Sequence, residues 1–318
     1  MDVGAAAAVC EDIVDRVGEA VVADRGFLET VLTGMLARGH VLVEDVPGTG
    51  KTLTAIALAD ALGLGFKRIQ FTPDLLPGDI TGTNVYDEHE GAFRFQRGPV
   101  FANVVLADEI NRAPPKTQSA LLEAMDEGQV SVDGDTHSLP DPFFVVATQN
   151  PVEQEGTFSL PEAQRDRFVV KASMGYPDRA GELELLDRRS NRTTTKPSVS
   201  AAVDADRVTA LREVPERVTV SAAVRGYLVD VARATREDSR VEVGVSPRGI
   251  QRFFEAARAR AVVAGRSYVA PDDVKAIAPA VLTHRLVLTS EATVRGTDPR
   301  AVVESVLDAV EVPAATAD

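Results

Sequence analysis

Six consecutive residues, Pro47-Gly48-Thr49-Gly50-Lys51-Thr52, are of the types that can hold a chain of phosphates. Glycines let backbone N–H groups close on an anion, a lysine adds a point charge, and the hydroxyl beside it can reach a magnesium ion. The general pattern is G-x-x-x-x-G-K-[ST], and Asp45 stands where its first glycine belongs. That position ends a strand, where a side chain can turn away from a ligand, and the glycines nearest the phosphates are kept. The plain alternative is a Gly-rich turn between a strand and a helix.

Four further groups bear on the same chemistry. "NVVLADEINR" ends an apolar run with Asp108 and Glu109. Two acids leaving a buried parallel strand lie at its carboxyl end, where open α/β sheets bind ligands. Asp108 would hold Mg²⁺, and Glu109 would polarise an attacking water. In "FFVVATQNP", Asn150 could bond a terminal phosphate or orient that water, although on local evidence it reads as the turn residue of an Asn-Pro pair. "LPEAQRDRF" carries Arg165 and Arg167 around Asp166. Either is a solvated charge, or a finger reaching a neighbouring subunit's γ-phosphate. In "VSPRGIQRF", Ser246 caps a helix and Pro247 takes its first position, so Arg248 is presented at a helix start, suited to phosphate sensing or simply to solvent.

These residues need elements to place them. Residues 5 to about 38 read as helical, and "HVLVED" (40–45) as a strand running straight into the glycine loop. A helix closed by Gly63 follows. Further strands are expected at 66–72, 103–108 and 143–148, with a helix between the last two that opens on proline and stops at Gly128. Nearly all-apolar strands alternating with helices imply a parallel sheet covered on both faces. Two stretches, 83–96 and 129–139, place Glu-Gly or Asp-Gly between alternating runs and read as β-hairpins. After residue 176 the pattern changes: a charged helix at 179–189, a polar link at 190–200, then helices at 203–213, 221–236, 247–264 and 271–285. The expected organisation is an α/β core (1–176) followed by a small helical lid (177–318).

Composition narrows the classes. The chain has 318 residues and a net charge of −14, which argues against nucleic acid or an anionic membrane as the default partner. Only six of its 34 basic residues are lysine, a balance that suits a high-salt cytoplasm and a GC-rich genome equally. One cysteine, Cys10, allows no internal disulfide and fits a reducing compartment. No apolar run approaches the roughly 20 residues of a membrane span. The reading is a cytoplasmic protein. Four scattered histidines lack the spacing of a zinc site.

Taken together, the motifs resemble the MoxR branch of the AAA+ ATPases over nearly the whole chain. The most specific stretch is "DEINRAPPKTQSALLEAMDEGQV", flanked by "FQRGPVFANVVLA" and "ATQNPVEQEGTFSLPEAQRDRF"; "LLPGDITGTNVYD" is also similar. In that branch the position of Asp45 is relaxed. The resemblance implies an ATP- and Mg²⁺-dependent hydrolase, with residues 47–52 on the phosphates and Thr52 and Asp108 on the metal. It implies Glu109 as the carboxylate that polarises the attacking water, Asn150 as first sensor and Arg248 as second. The finger is usually carried in a D-R-F sequence, which selects Arg167 and leaves Arg165 as its rival. The two hairpins match insertions of the group that includes magnesium-chelatase subunits.

The resemblance also implies a ring, six-membered by analogy, with ATP between core and lid and the finger arriving from the next subunit. The output would be remodelling or maturation of client proteins, metal or cofactor insertion included, alongside partners carrying a von Willebrand factor A domain. Three rivals remain. A chelatase motor would be marked by a stimulating chelatase subunit. A nucleic-acid motor would need cations on the hairpins, which carry few. A non-hydrolysing switch sits poorly with Lys51, Glu109 and the arginines.

Overall fold

The computed structural model describes residues 1–151, 158, 160–192 and 197–313. Helices α1 (Val3–Ala20) and α2 (Arg25–Leu36) come first. The single helix expected over 5–38 is broken because Asp24 caps α2, its carboxylate accepting from Phe27 N at 3.1 Å, after the β-branched pair Val21-Val22. Next come β1 (His40–Glu44), α3 (Lys51–Ala61), β2 (Phe66–Gln70), α4 (Pro77–Thr81) and the hairpin β3 (Gly82–Asp87) with β4 (Ala92–Arg97). The core continues through β5 (Val104–Asp108), α5 (Pro115–Glu127), the hairpin β6 (Gln129–Val132) with β7 (Asp135–Ser138), β8 (Phe144–Gln149), α6 (Glu162–Arg165) and β9 (Phe168–Ala172).

Strands β2, β5, β8, β1 and β9 lie side by side in that order, all parallel. The fifth strand, β9, was not among the four expected. Alternation along each strand decides which face a residue serves. Val41, Val43, Val104, Leu106 and Val146 join one core with α1, α2 and α3; Leu42, Val105, Ala107, Val145 and Ala147 join the other with α5. Both hairpins form where the sequence places them, each as its own two-stranded ribbon.

Beyond the core lie α7 (Arg179–Asn191), α8 (Ala205–Arg212), α9 (Ala222–Glu237), β10 (Val241–Val243), α10 (Pro247–Val263), α11 (Pro271–Leu282), β11 (Val287–Leu288), α12 (Ser290–Val294) and α13 (Pro299–Ala309). Residues 193–196 of the expected polar link lie outside the described residues. The helical lid also carries a short antiparallel ribbon, β10 with β11, and a last helix, α13, that the sequence reading did not include. Helix α10 packs on α1 and α2, and α11 on β9, so lid side chains continue the core on that face of the sheet. Among the described residues no helix is long and apolar enough to cross a membrane.

Candidate nucleotide site

The loop from Asp45 to Gly50 leaves β1 and enters α3. Gly48 and Gly50 have φ of 85° and 101°, a left-handed conformation that costs glycine little. A Cβ on Gly48 would meet nothing within 4 Å, so the loop faces open space there. Gly50 gives α3 no side-chain cap, which leaves the first N–H groups of the helix free to serve an anion. Lys51 Nζ donates to the carbonyls of Asp45 (2.7 Å) and Val46 (2.8 Å). Burial lowers the pKa of this ammonium, and the carboxylates of Asp45, Asp108 and Glu109 oppose that shift. The loop lysine and the acid pair therefore face each other at the carboxyl edge of the sheet.

Asp45 does turn away from the loop's open side, and its side chain is fully used. One carboxylate oxygen accepts from Val46 N at 3.0 Å. The other accepts from Met174 N (2.6 Å), Gly175 N (2.7 Å) and Ser173 Oγ (3.2 Å), just past β9.

Asp108 ends β5 and is buried. Its Oδ1 accepts from Thr148 Oγ1 at 2.6 Å, and the same hydroxyl accepts from Glu109 N at 2.8 Å, so one threonine on β8 fixes both acids. Arg68 on β2 donates to Asp108 Oδ2 through Nε (3.0 Å) and a terminal nitrogen (2.6 Å). Gln70 donates to Glu109 Oε2 at 2.8 Å, and Arg112 pairs with that oxygen at 3.1 Å. Glu109 itself has φ 57°, ψ 50°, a strained conformation for a residue with a side chain. Asn150 is buried immediately past β8, on the same edge. Thr148, Arg68 and Gln70 were absent from the sequence reading. Their place beside the acids comes from strand register: Gln70 lies opposite Asp108, and Ala107, one residue short of that acid, lies opposite Ala147.

The donors suit a nucleoside triphosphate with magnesium. Thr52 and Asp108 offer hard oxygens, and Gly48 leaves room where phosphates would lie.

The arginines expected to act on phosphate are elsewhere. Arg167 Nε pairs with Asp126 at 3.1 Å, and Arg248 donates to the same carboxylate at 3.0 Å, with Asp166 3.9 Å from Arg248. Asp126 sits near the end of α5, next to Met125, whose carbonyl accepts from His40 Nε2 at 3.0 Å. His40 begins β1 and pairs with Phe168 at the start of β9. Arg167 and Arg248 are thus gathered at the amino edge of the sheet. Five-residue β1, at about 3.3 Å per residue, puts roughly 13 Å between that edge and the loop. The structure does not bring Arg248 to its own chain's phosphate loop but to a position shared with Arg167. Ser246 does cap α10, accepting from Gly249 N at 3.0 Å, and Pro247 follows it. Arg165 is half-buried close to His284, and its Nε has no partner among the described residues.

Residues 40–170 match the ATPase family associated with various cellular activities (AAA), and residues 233–306 match the AAA lid domain. Fold and site thus define an AAA-class ATPase with its lid. The chain is 47% identical over 300 residues to the uncharacterized protein YeaC of Bacillus subtilis, covering 94% of this chain and 93% of that one. It is 44% identical over 312 residues to chaperone MoxR1 of Mycobacterium tuberculosis, covering 95% and 82%. A crystal structure of a candidate ATPase from Cytophaga hutchinsonii superposes with a TM-score of 0.89 at 41% identity, covering 97% and 96%. This chain belongs to the MoxR family of AAA+ ATPases.

Proposed function

We propose that the chain hydrolyses ATP in a hexameric ring and spends the energy on remodelling or maturing client proteins. One observation carries the ring: Arg167 and Arg248 share Asp126 at the edge of the sheet opposite the loop that would hold the phosphates. A single chain then has half a site at each edge, and stacking chains in a circle brings one half to the other. Residues Pro47 to Thr52 would hold the triphosphate, and Thr52 and Asp108 would hold Mg²⁺, which when bound neutralises phosphate charge. Glu109, held by Gln70 and Arg112, would polarise the water, and Asn150 would orient it. Arg167 and Arg248 would both act on the neighbour's nucleotide, so the second sensor works between chains and not within one.

Core (1–176) and lid (177–318) are the units that would shift as the γ-phosphate leaves. The client-directed output is supported by the Mycobacterium tuberculosis relative named a chaperone. Metal or cofactor insertion and a von Willebrand factor A-domain partner remain part of this reading, as does a cytoplasmic location. The hairpins favour protein over nucleic acid: strands and turns together carry Asp87, Glu88, Glu90, Asp133 and Asp135 against Arg94 and Arg97. The test is Mg²⁺-dependent ATP hydrolysis per subunit against protein concentration, at low and high KCl, with sizing in parallel. A specific rate that rises as rings form is expected. A rate already maximal in a sample that sizing shows to be monomeric would overturn it.

A further inference from the structure

We propose that Asp45 is a positioning residue that ties the phosphate loop to the core–lid connector, so that the state of the loop is transmitted to the lid. The inference rests on the reading of residues 47–52 as the nucleotide site. Asp45 is buried at the loop's entry, and its second carboxylate oxygen holds the backbone N–H groups of Met174 and Gly175 together with the Ser173 hydroxyl. Those three residues are the first half of the segment 173–178 that runs from the end of β9 to the start of α7, the first lid helix. Gly175 turns there with φ 67°.

A second contact joins the same two segments. Met174 Sδ would lie 3.8 Å from a Cβ on Gly50, so the methionine sits over the last loop residue before α3. The loop's own cation is anchored to this joint as well. Lys51 Nζ is bonded to the carbonyls of Asp45 and Val46. A lysine that turns to a phosphate gives up those carbonyls, and the residue released on its backbone side is the one that grips the connector with its side chain. Glycine at position 45 would supply the same loop backbone with no grip. The departure from the general pattern is therefore the feature that couples loop to lid.

The experiment uses the full chain and Asp45→Gly, with Asp45→Ala as a second variant and Lys51→Ala as control. Affinity for a fluorescent ATP analogue with Mg²⁺ is read beside amide hydrogen exchange over Ser173 to Arg192, with and without ATP. Wild type should show an ATP-dependent change across that segment. Asp45→Gly should bind the analogue within about threefold of wild type, because glycine is the residue of the general loop. Its Met174 and Gly175 amides should exchange about tenfold faster, as befits loss of a charge-assisted acceptor, and the ATP-dependent change over α7 should vanish.

An undiminished ATP-dependent change in Asp45→Gly overturns the proposal. So does a folded Asp45→Gly that no longer binds the analogue, since Asp45 would then serve the loop alone. If the glycine variant does not fold, Asp45→Ala decides: its side chain offers the connector no acceptor at all, so a wild-type response there also overturns it. Failure of the nucleotide site itself looks different, as equal binding by wild type and Lys51→Ala, and the coupling falls with it.

Discussion

His40 makes the fold acid-sensitive in a defined window. Its Nδ1 accepts from Val145 N at 3.0 Å, and its Nε2 lies 3.0 Å from the Met125 carbonyl. Nδ1 must be unprotonated to accept, so Nε2 carries the proton and the ring is neutral. Protonation would set one donor against another in a buried site. Burial accordingly pushes the pKa down from 6.5 to about 4, with Arg212 and Arg252 adding to it and the Met125 carbonyl and Asp126 opposing. Above pH 6.5 both states are neutral and nothing is lost. Below it the unfolded chain takes up a proton that the folded chain refuses, so stability falls as pH drops, by up to about 1.4 kcal/mol per pH unit. Near pH 4 the folded state titrates too and the loss levels off at about 3 kcal/mol. Burial and Arg285 shift His284 in the same direction, which adds to the slope in wild type and variant alike.

The assay is urea unfolding from about pH 7.5 to about pH 4.5, comparing wild type with His40→Asn, whose amide oxygen can still accept from Val145 and does not titrate. Wild type should lose about 2 to 3 kcal/mol more than the variant across that range. Parallel profiles would refute the reasoning, because every other titrating group is common to both.

Two further outcomes follow from the same geometry. Glu109→Gln should bind ATP normally and lose about 100-fold or more in turnover, read by analogue binding beside steady-state hydrolysis; retained turnover would move the role elsewhere. Asp166→Asn removes the carboxylate 2.8 Å from Arg285 Nε, whose guanidinium burial pushes down to about 10 against the opposing pull of Asp166. Arg285 keeps the carbonyls of Val169, Phe168 and Val281, so the cost in urea unfolding should be about 2 kcal/mol, below that of a fully isolated buried charge.

Much of the core was legible because period and punctuation agree there. β1, β5 and β8 are short apolar runs bounded by turn residues, and Gly63 and Gly128, both at positive φ, stop α3 and α5 where glycine was expected to. β9 was missed because "FVVKA" follows the arginine-bearing stretch at once, with no glycine or proline to set it apart. Site residues named from motifs, Lys51, Asp108, Glu109 and Asn150, meet at one edge. Arg68, Gln70 and Thr148 could not be named, because their role depends on which strands are neighbours, and strand order is not written in local pattern. Arg248 shows the converse: the sequence places it correctly at a helix start but carries no information on which edge of the sheet that helix meets.

That edge decides how the arginines can act. Arg167 and Arg248 are both held by Asp126, and these side chains are 28%, 47% and 26% exposed. Ion pairs this open to solvent are worth about 1 kcal/mol or less each. A triphosphate offers several charges and strong acceptors to the same guanidinium groups, in a site that excludes water as it closes. On the proposed reading the phosphate wins that competition, so Asp126 parks the arginines without withholding them. Asp126→Asn should then change turnover by less than about threefold, since an open pair contributes little. Arg167→Ala should lower it by about 1,000-fold, the loss expected for a finger, and mixing with Lys51→Ala subunits should restore part of it, each chain supplying the half that the other lacks. Rescue by the mixture is the discriminating result. If Arg165→Ala is rescued and Arg167→Ala is not, the finger is the half-buried arginine beside His284, and it must leave that position to act.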